Sequence, residues 1–266
     1  SSQSDGEVIS FDQSTSPGLV DGAVHTVLSD SARDRLLIGS RYGITVIDPF
    51  EGTSSLYQLP SGMEMHTMMR WSPSDSDFLL VGSNLGFHCI TLDNGLPVME
   101  SMSESDIGPI EDIYALQTGS GDLDLILFGK GFATWTVTVR DQGEDQDAMV
   151  GEPEYNDEMA DTLSAADAEI NTALHVQMDG RGPLLLVGTD AGLIAWNTTD
   201  GSASAGDPWW VFDRENAEDF VQRADLLNVS KSAVVNALVL AGPLDAAGGV
   251  EEITGIWVGT AGGLHL

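Results

Sequence analysis

A short glycine motif recurs five times along the chain, and this repeat constrains the fold more than any other feature of the sequence. Each copy has an apolar run, a Gly-Ser or Gly-Thr pair, a second glycine and another apolar run, although the third copy is shortened to Gly-Lys-Gly. Two β-rich runs joined by a tight turn predict a β-hairpin whose turn glycine takes a positive φ. The copies lie at residues 36–44, 79–87, 127–132, 186–193 and 257–264.

A second element precedes each hairpin and follows the pattern apolar, variable, small polar, apolar, apolar. We call it the leading strand; its copies lie at residues 24–28, 65–69, 110–114, 170–174 and 234–238. A third strand after most hairpins ends in turn residues such as Asp-Gly or Asn-Gly. A fourth strand follows it, as at 55–59 and 209–212. Four short antiparallel strands per unit, repeated with turn residues between them, are typical of a β-propeller blade.

The units resemble β-propeller repeats of the two-component-regulator, YVTN and WD-repeat kind, most closely over residues 71–83. The resemblance implies an all-β propeller, and residues 1–266 are expected to form a single domain with five blades of four antiparallel strands. The fifth unit stops inside its third strand, and residues 7–11 are expected to supply its missing outer strand and close the ring. The alternative is a piece of a longer chain with six or seven blades.

Two insertions interrupt the repeat, at about residues 142–169 and 214–231. The first contains a predicted helix over 157–169 and is expected to be a solvated acidic loop, with a weak Ca²⁺ site as the alternative. The second predicts an amphipathic helix that packs on the propeller rim or, alternatively, binds a partner helix. Both join an outer strand to the next leading strand, which places them on the face where the central channel opens.

The charge of the chain excludes several classes of partner. Asp plus Glu number 42 against 10 for Lys plus Arg, giving a net charge of −32. Such a field repels nucleic acids and anionic lipid headgroups, and no apolar run is long enough to insert into a membrane. The acidic surface resembles that of halophilic or marine proteins, and we expect an extracellular or cell-surface location; a secreted and merely very soluble protein is the alternative. The single cysteine, Cys89, is expected to be a buried, inert thiol.

Polar residues at the second position of the leading strands are the candidate ligand-binding site: His25, His66, Glu111 and Asn171, with Val235 assigned to this position in the fifth unit. In a closed propeller these side chains would form a ring near the channel mouth. Imidazoles and a carboxylate there would suit a polar ligand or a transition metal. The third-position residues would instead hold ordered water, and a purely structural role for both sets is the alternative. The third-position set is Thr26, Thr67, Asp112, Thr172 and Asn236.

The sequence contains no nucleophile elbow, zinc-protease motif or phosphate-binding glycine loop, so no catalytic residue, metal or cofactor is assigned. We expect a non-catalytic binding or interaction domain of an exported protein that recognises a glycan, peptide or protein at the channel mouth. One alternative is a glycan-processing enzyme, for which Glu111 and Asp112 are the only acids in the leading strands. The other is a purely architectural module of a larger surface protein.

Overall fold

A computed structural model describes the chain over residues 24–73, 76–105, 107–118, 122–142, 148–178, 182–197, 208–213, 234–241, 255–261 and 263–265. Within these ranges the strands form five separate antiparallel sheets, and the connecting segments contain one α-helix and one short 3₁₀ turn. The chain divides into two compact units, residues 1–113 with 141–150, and residues 114–140 with 151–266. The all-β prediction is confirmed.

The first two sheets follow the order of the sequence. Sheet 1 contains β1 (Val24–Asp30), β2 (Arg35–Ser40), β3 (Gly43–Asp48) and β4 (Thr53–Gln58). Sheet 2 contains β5 (Met65–Trp71), β6 (Phe78–Ser83), β7 (Gly86–Asp93) and β8 (Leu96–Pro97), with β9 (Ser103–Ser105) also paired to β7. The Asn-Gly pair after β7 forms a turn as predicted, because Asn94 and Gly95 both take positive φ between β7 and β8.

The remaining sheets repeat this order. Sheet 3 contains β10 (Ile110–Thr118), β11 (Asp122–Gly129), β12 (Thr134–Arg140) and β13 (Met149–Val150), with β14 (Glu154–Tyr155) also paired to β12. Sheet 4 contains β15 (Ile170–Met178), β16 (Gly182–Thr189), β17 (Gly192–Asn197) and β18 (Trp209–Asp213). Sheet 5 contains β19 (Val235–Ala241), β20 (Gly255–Thr260) and β21 (Gly263–His265). The predicted closing strand at 7–11 and the insertion at 214–231 lie outside the described residues.

A serine or threonine hydroxyl closes the turn between the second and third strands of three sheets. The hydroxyl donates to the carbonyl of the second glycine at 3.1 Å (Ser40 to Gly43), 3.2 Å (Ser83 to Gly86) and 3.0 Å (Thr189 to Gly192). Gly86 and Gly192 take positive φ as predicted, but for Gly43 that prediction is wrong. Gly43 is required for space instead, because a Cβ there would lie 2.7 Å from the carbonyl oxygen of Tyr57.

The first glycine of three motifs is tightly packed between neighbouring sheets. It lies under the third-position residue of its own leading strand and under the first-position residue of the next one. A Cβ on any of these three glycines would lie less than 3.0 Å from both side chains, so a larger residue would force the neighbours to move. The triplets of glycine, third-position and first-position residue are Gly39, Thr26 and Met65; Gly82, Thr67 and Ile110; and Gly188, Thr172 and Val235.

The acidic insertion contributes a core helix, α1 (Asp157–Ala166). The Asn156 side chain caps it by accepting a hydrogen bond from the Met159 backbone N–H at 3.0 Å, and Asp157 follows the cap. Met159 and Leu163 are completely buried in the same cluster as strand residues of β11, β16 and β17. The helix is therefore confirmed, although it is shorter than predicted, and describing the whole insertion as a solvated loop is wrong. No helix in the described part of the chain is long and apolar enough to span a bilayer.

Candidate functional site

Three of the four predicted site residues lie at a β-bulge that repeats at the start of the leading strands. In sheet 1, Val24 pairs with Ser40 and Thr26 pairs with Gly39, so the register skips the residue between them, His25. The same shift skips His66 in sheet 2 and Asn171 in sheet 4. A bulge releases one residue from the ladder and re-aims its side chain. The second position is therefore distinct in backbone geometry as well as in sequence.

The assignment of Val235 to this position is wrong. In sheet 5, Val235 pairs with Thr260 and Ala237 pairs with Gly259, so the skipped residue is Asn236. Val235 is completely buried and occupies the first position, where its side chain covers Gly188. The sequence-based assignment was offset by one residue here because Val234 and Val235 fit the apolar first position equally well.

Two of the four predicted ligand-binding residues come into contact. The Nδ1 atom of His66 lies 3.3 Å from the Glu111 Oε2 atom and 3.1 Å from the carbonyl oxygen of Ile110. The His66 side chain is 21% exposed and that of Glu111 is 50% exposed, so the pair is open to solvent on the carboxylate side. A proton on Nδ1 would serve both oxygens, which leaves Nε2 of the imidazole as the free ring nitrogen for a ligand.

The third position repeats this contact one residue further along the same two strands. The Thr67 hydroxyl donates to Asp112 Oδ1 at 3.2 Å, and the same carboxylate oxygen accepts the backbone N–H of Ile113 at 2.9 Å. Asp112 is thus held by protein groups, which gives it a positioning role between β5 and β10. Glu111 is the more exposed of the two neighbouring acids considered for glycan cleavage.

The other two predicted residues occupy different surroundings. His25 is exposed on β1. Asn171 belongs to the second compact unit, where its side-chain amide donates to the carbonyl oxygen of Val235 at 3.1 Å. Over the described ranges, no group of three or more His, Cys, Asp or Glu side chains is arranged to hold a metal ion. The contact of His66 with Glu111 is an acid–imidazole pair suited to hydrogen bonding a polar ligand.

A buried charge network between sheets 1 and 2 was missed by the sequence reasoning. Asp30 is 1% exposed, and its carboxylate receives Arg70 Nη1 at 2.7 Å and Arg33 Nη1 at 3.2 Å. Arg70 also forms a hydrogen-bonded ion pair with Asp77, and its Nε atom lies 2.7 Å from Asp77 Oδ1. Burial alone would raise the pKa of Asp30, but hydrogen bonds and charge attraction from Arg70 and then Arg33 outweigh it and hold the pKa below its usual value.

A second feature missed from the sequence is a cavity of about 540 Å³ at the edge of sheet 1. Tyr42, Gln58 and Glu64 line it together with the segment that connects β4 to β5. The Pro-Ser-Gly sequence at 60–62 was the available signal, since such residues mark a loop. Cys89, by contrast, is buried as predicted.

No family model matches the chain, and no curated protein matches it. Among solved structures, the extracellular domain of the putative one component system BT4673 from B. thetaiotaomicron superposes with a TM-score of 0.50 at 15% identity, covering 91% of this chain and 26% of that chain. The AfRom2 CNH domain gives a TM-score of 0.48 at 12% identity, covering 91% and 83% of the two chains. The WD40 domain of SCAP from fission yeast gives 0.43 at 8% identity, covering 90% and 48%. The chain thus has an all-β fold of antiparallel sheets whose structural neighbours are β-propeller and WD40-like domains.

Proposed function

We propose that the chain is a non-catalytic binding or interaction domain of an exported protein, with its ligand site at the mouth of a central channel. The site residues are His25, His66, Glu111 and Asn171. The single observation that carries the proposal is the contact between His66 and Glu111, which joins two predicted site residues across neighbouring leading strands. No cofactor takes part.

The physical basis of the proposal is that the bulge frees the side chains of His25, His66 and Asn171 from the sheet ladder. Their polar groups are not needed for strand pairing, so a ligand can compete for them without unfolding the sheet. The Nε2 atom of the His66 imidazole and a half-exposed carboxylate offer hydrogen-bond acceptors to a glycan, a peptide or a protein loop. The likeness to an extracellular domain supports the exported location.

The four site residues can surround one channel mouth only if their sheets belong to one closed ring. We propose one β-propeller domain over residues 1–266, with five blades and a ring closed by residues 7–11. The five sheets of the described ranges support this arrangement. Val24, the first-position residue of β1, is 50% exposed, whereas its counterparts Met65 and Val235 are completely buried under neighbouring sheets. Closure would cover this valine.

A thermal-shift screen of the wild type against divalent ions and neutral and acidic oligosaccharides, at low and marine salt, tests the proposed site. A ligand that binds only the folded chain raises the melting temperature by mass action. We expect the shift to disappear in His66→Ala and in Glu111→Gln. The matched control is Glu51→Gln, which neutralises an exposed acid on the turn between β3 and β4. A shift retained in both site variants would contradict the assignment.

A further inference from the structure

The cavity at the edge of sheet 1 is a preformed site that none of the four proposed mouth residues lines. Its position follows from the register, because Gly43 pairs with Gln58 and the β2–β3 turn therefore lies beside the end of β4. From Gln58 the chain continues through Leu59, whose backbone N–H donates to the Tyr42 carbonyl at 3.1 Å. The volume of about 540 Å³ lies within the range of small-molecule sites.

The walls of the cavity combine an apolar floor with a polar rim. Leu56 and Met63 contribute apolar surface, and Met63 is only 3% exposed. The Tyr42 side chain lines the cavity and is 49% exposed, so its ring is accessible from solvent. Gln58 and Ser61, both exposed, add an amide and a hydroxyl to the lining. Such a surface presents an aromatic ring next to donors and acceptors.

An ion pair with Arg41 neutralises Glu64, the charged side chain in the cavity lining. Arg41 donates from Nε to Glu64 Oε1 at 2.7 Å, and its Nη2 atom contacts the same oxygen. The guanidinium carbon of Arg41 lies 5.5 Å from the centroid of the Tyr42 ring. The carboxylate already has a cationic partner, so an incoming cation would have to compete with Arg41 for it, while the net charge of −32 repels an anion. A neutral polar molecule faces neither the competition nor the repulsion.

The segment that carries the rim is held from a second side. Asn84, in the turn after β6, donates from its side-chain amide to the Gly62 carbonyl at 2.9 Å and accepts the Glu64 backbone N–H at 2.7 Å. Asn84 also donates its own backbone N–H to the Glu64 carbonyl at 3.0 Å. Sheet 2 thus fixes the segment, which reduces the ordering cost that a ligand would otherwise incur.

We infer that this cavity binds a neutral saccharide. The apolar C–H face of a sugar ring would pack on the Tyr42 ring, and its hydroxyls would hydrogen bond with Gln58, Ser61 and Glu64. A hydroxyl both donates and accepts, so it matches a rim that offers amide, hydroxyl and carboxylate groups at once. The site is independent of the channel-mouth site and does not rest on the proposed function there.

Saturation-transfer NMR on the full chain tests the inference with glucose, galactose, mannose, xylose, N-acetylglucosamine and their β-linked disaccharides as probes. We expect at least one of them to bind with a Kd in the millimolar range or below. Tyr42→Ala is expected to weaken that binding by about tenfold, because it removes the stacking surface. Gln58→Ala is also expected to weaken it, while Tyr42→Phe retains most of it.

Controls separate the cavity from other surfaces. Phe50→Ala removes an aromatic side chain that is 82% exposed and does not line the cavity, so binding is expected to persist. His66→Ala is expected to leave it unchanged, which distinguishes this site from the mouth. Glucuronic acid is the charged probe and is expected to bind more weakly because it is an anion. The inference is overturned if no neutral sugar binds, if a charged sugar binds better, or if Tyr42→Ala has no larger effect than Phe50→Ala.

Discussion

Replacing Gly188 by alanine should destabilise the fold by overpacking. The added methyl would lie 2.5 Å from Val235 Cγ1 and 2.7 Å from Thr172 Cγ2. Carbon atoms prefer separations of about 3.5–4.0 Å, so each neighbour would have to withdraw by about 1 Å. Both neighbours are β-branched and have few alternative rotamers. Overpacked cores lose about 1–3 kcal/mol, and we expect Gly188→Ala at the upper end of that range.

The same position in other sheets supplies matched controls. At Gly259 the methyl would contact Ala237 alone among the described residues, with Cβ at 3.3 Å, so Gly259→Ala should cost less than about 1 kcal/mol unless Val24 covers this glycine in the proposed closed ring. At Gly39 one wall is the flexible end of Met65, with Sδ at 2.6 Å, so an intermediate loss is expected. The measurement is urea unfolding of the whole chain, followed by tryptophan fluorescence and far-UV circular dichroism.

A double-mutant cycle tests the cause of the loss. Val235→Ala removes the atom nearest to the new methyl, so Gly188→Ala should cost less in that background than in the wild type. The difference should be at least about 0.5 kcal/mol, as for residues in contact. Additive effects of Gly188→Ala and Val235→Ala would refute the packing explanation of the repeat.

Two further predictions concern the charge network and the helix cap. Arg70→Met should destabilise the fold by about 3 kcal/mol, because it leaves the buried carboxylate of Asp30 with Arg33 as its remaining guanidinium partner among the described residues. The lowered pKa of Asp30 stabilises the fold above its unfolded value of 3.8, and this contribution disappears as the pH falls through the folded pKa. Urea midpoints between neutral and acidic pH should therefore fall less steeply in Asp30→Asn than in the wild type; parallel profiles would contradict this. Asn156→Ala should cost about 1 kcal/mol through loss of the cap, and Ser164→Ala, at an exposed position of the same helix, is its control in thermal unfolding.

The hairpins were predictable from the sequence because their chemistry is local. In three motifs the Ser or Thr bonds within three residues, as Ser83 does with Gly86, so the signal lies in one short window. The helix after Asn156 was predictable for the same reason, since a cap and an apolar face are adjacent in sequence. The burial of that helix was not, because Met159 and Leu163 pack on strands that the chain reaches only elsewhere.

Two features of the site required knowledge of pairing between distant segments. Arg70 and Asp30 are 40 residues apart, and nothing in either local window indicates that they meet. The bulge is equally invisible to a periodic pattern, which is why Val235 was assigned to the wrong position. The structure identifies a better criterion: the first position must cover a glycine, and the third must be small, as Ala237 is.

This criterion explains why recognition chemistry would concentrate at the second position. The side chains at the first and third positions of a leading strand must pack against a motif glycine, so changes there disturb the contacts between sheets. The bulged residue packs against no such glycine and the strand register skips it, so its side chain can vary at little cost in stability. In the four sheets whose register shows this bulge, the position holds His25, His66, Asn171 and Asn236. The packing that fixes the repeat thereby leaves one polar position on each of these four leading strands available for binding.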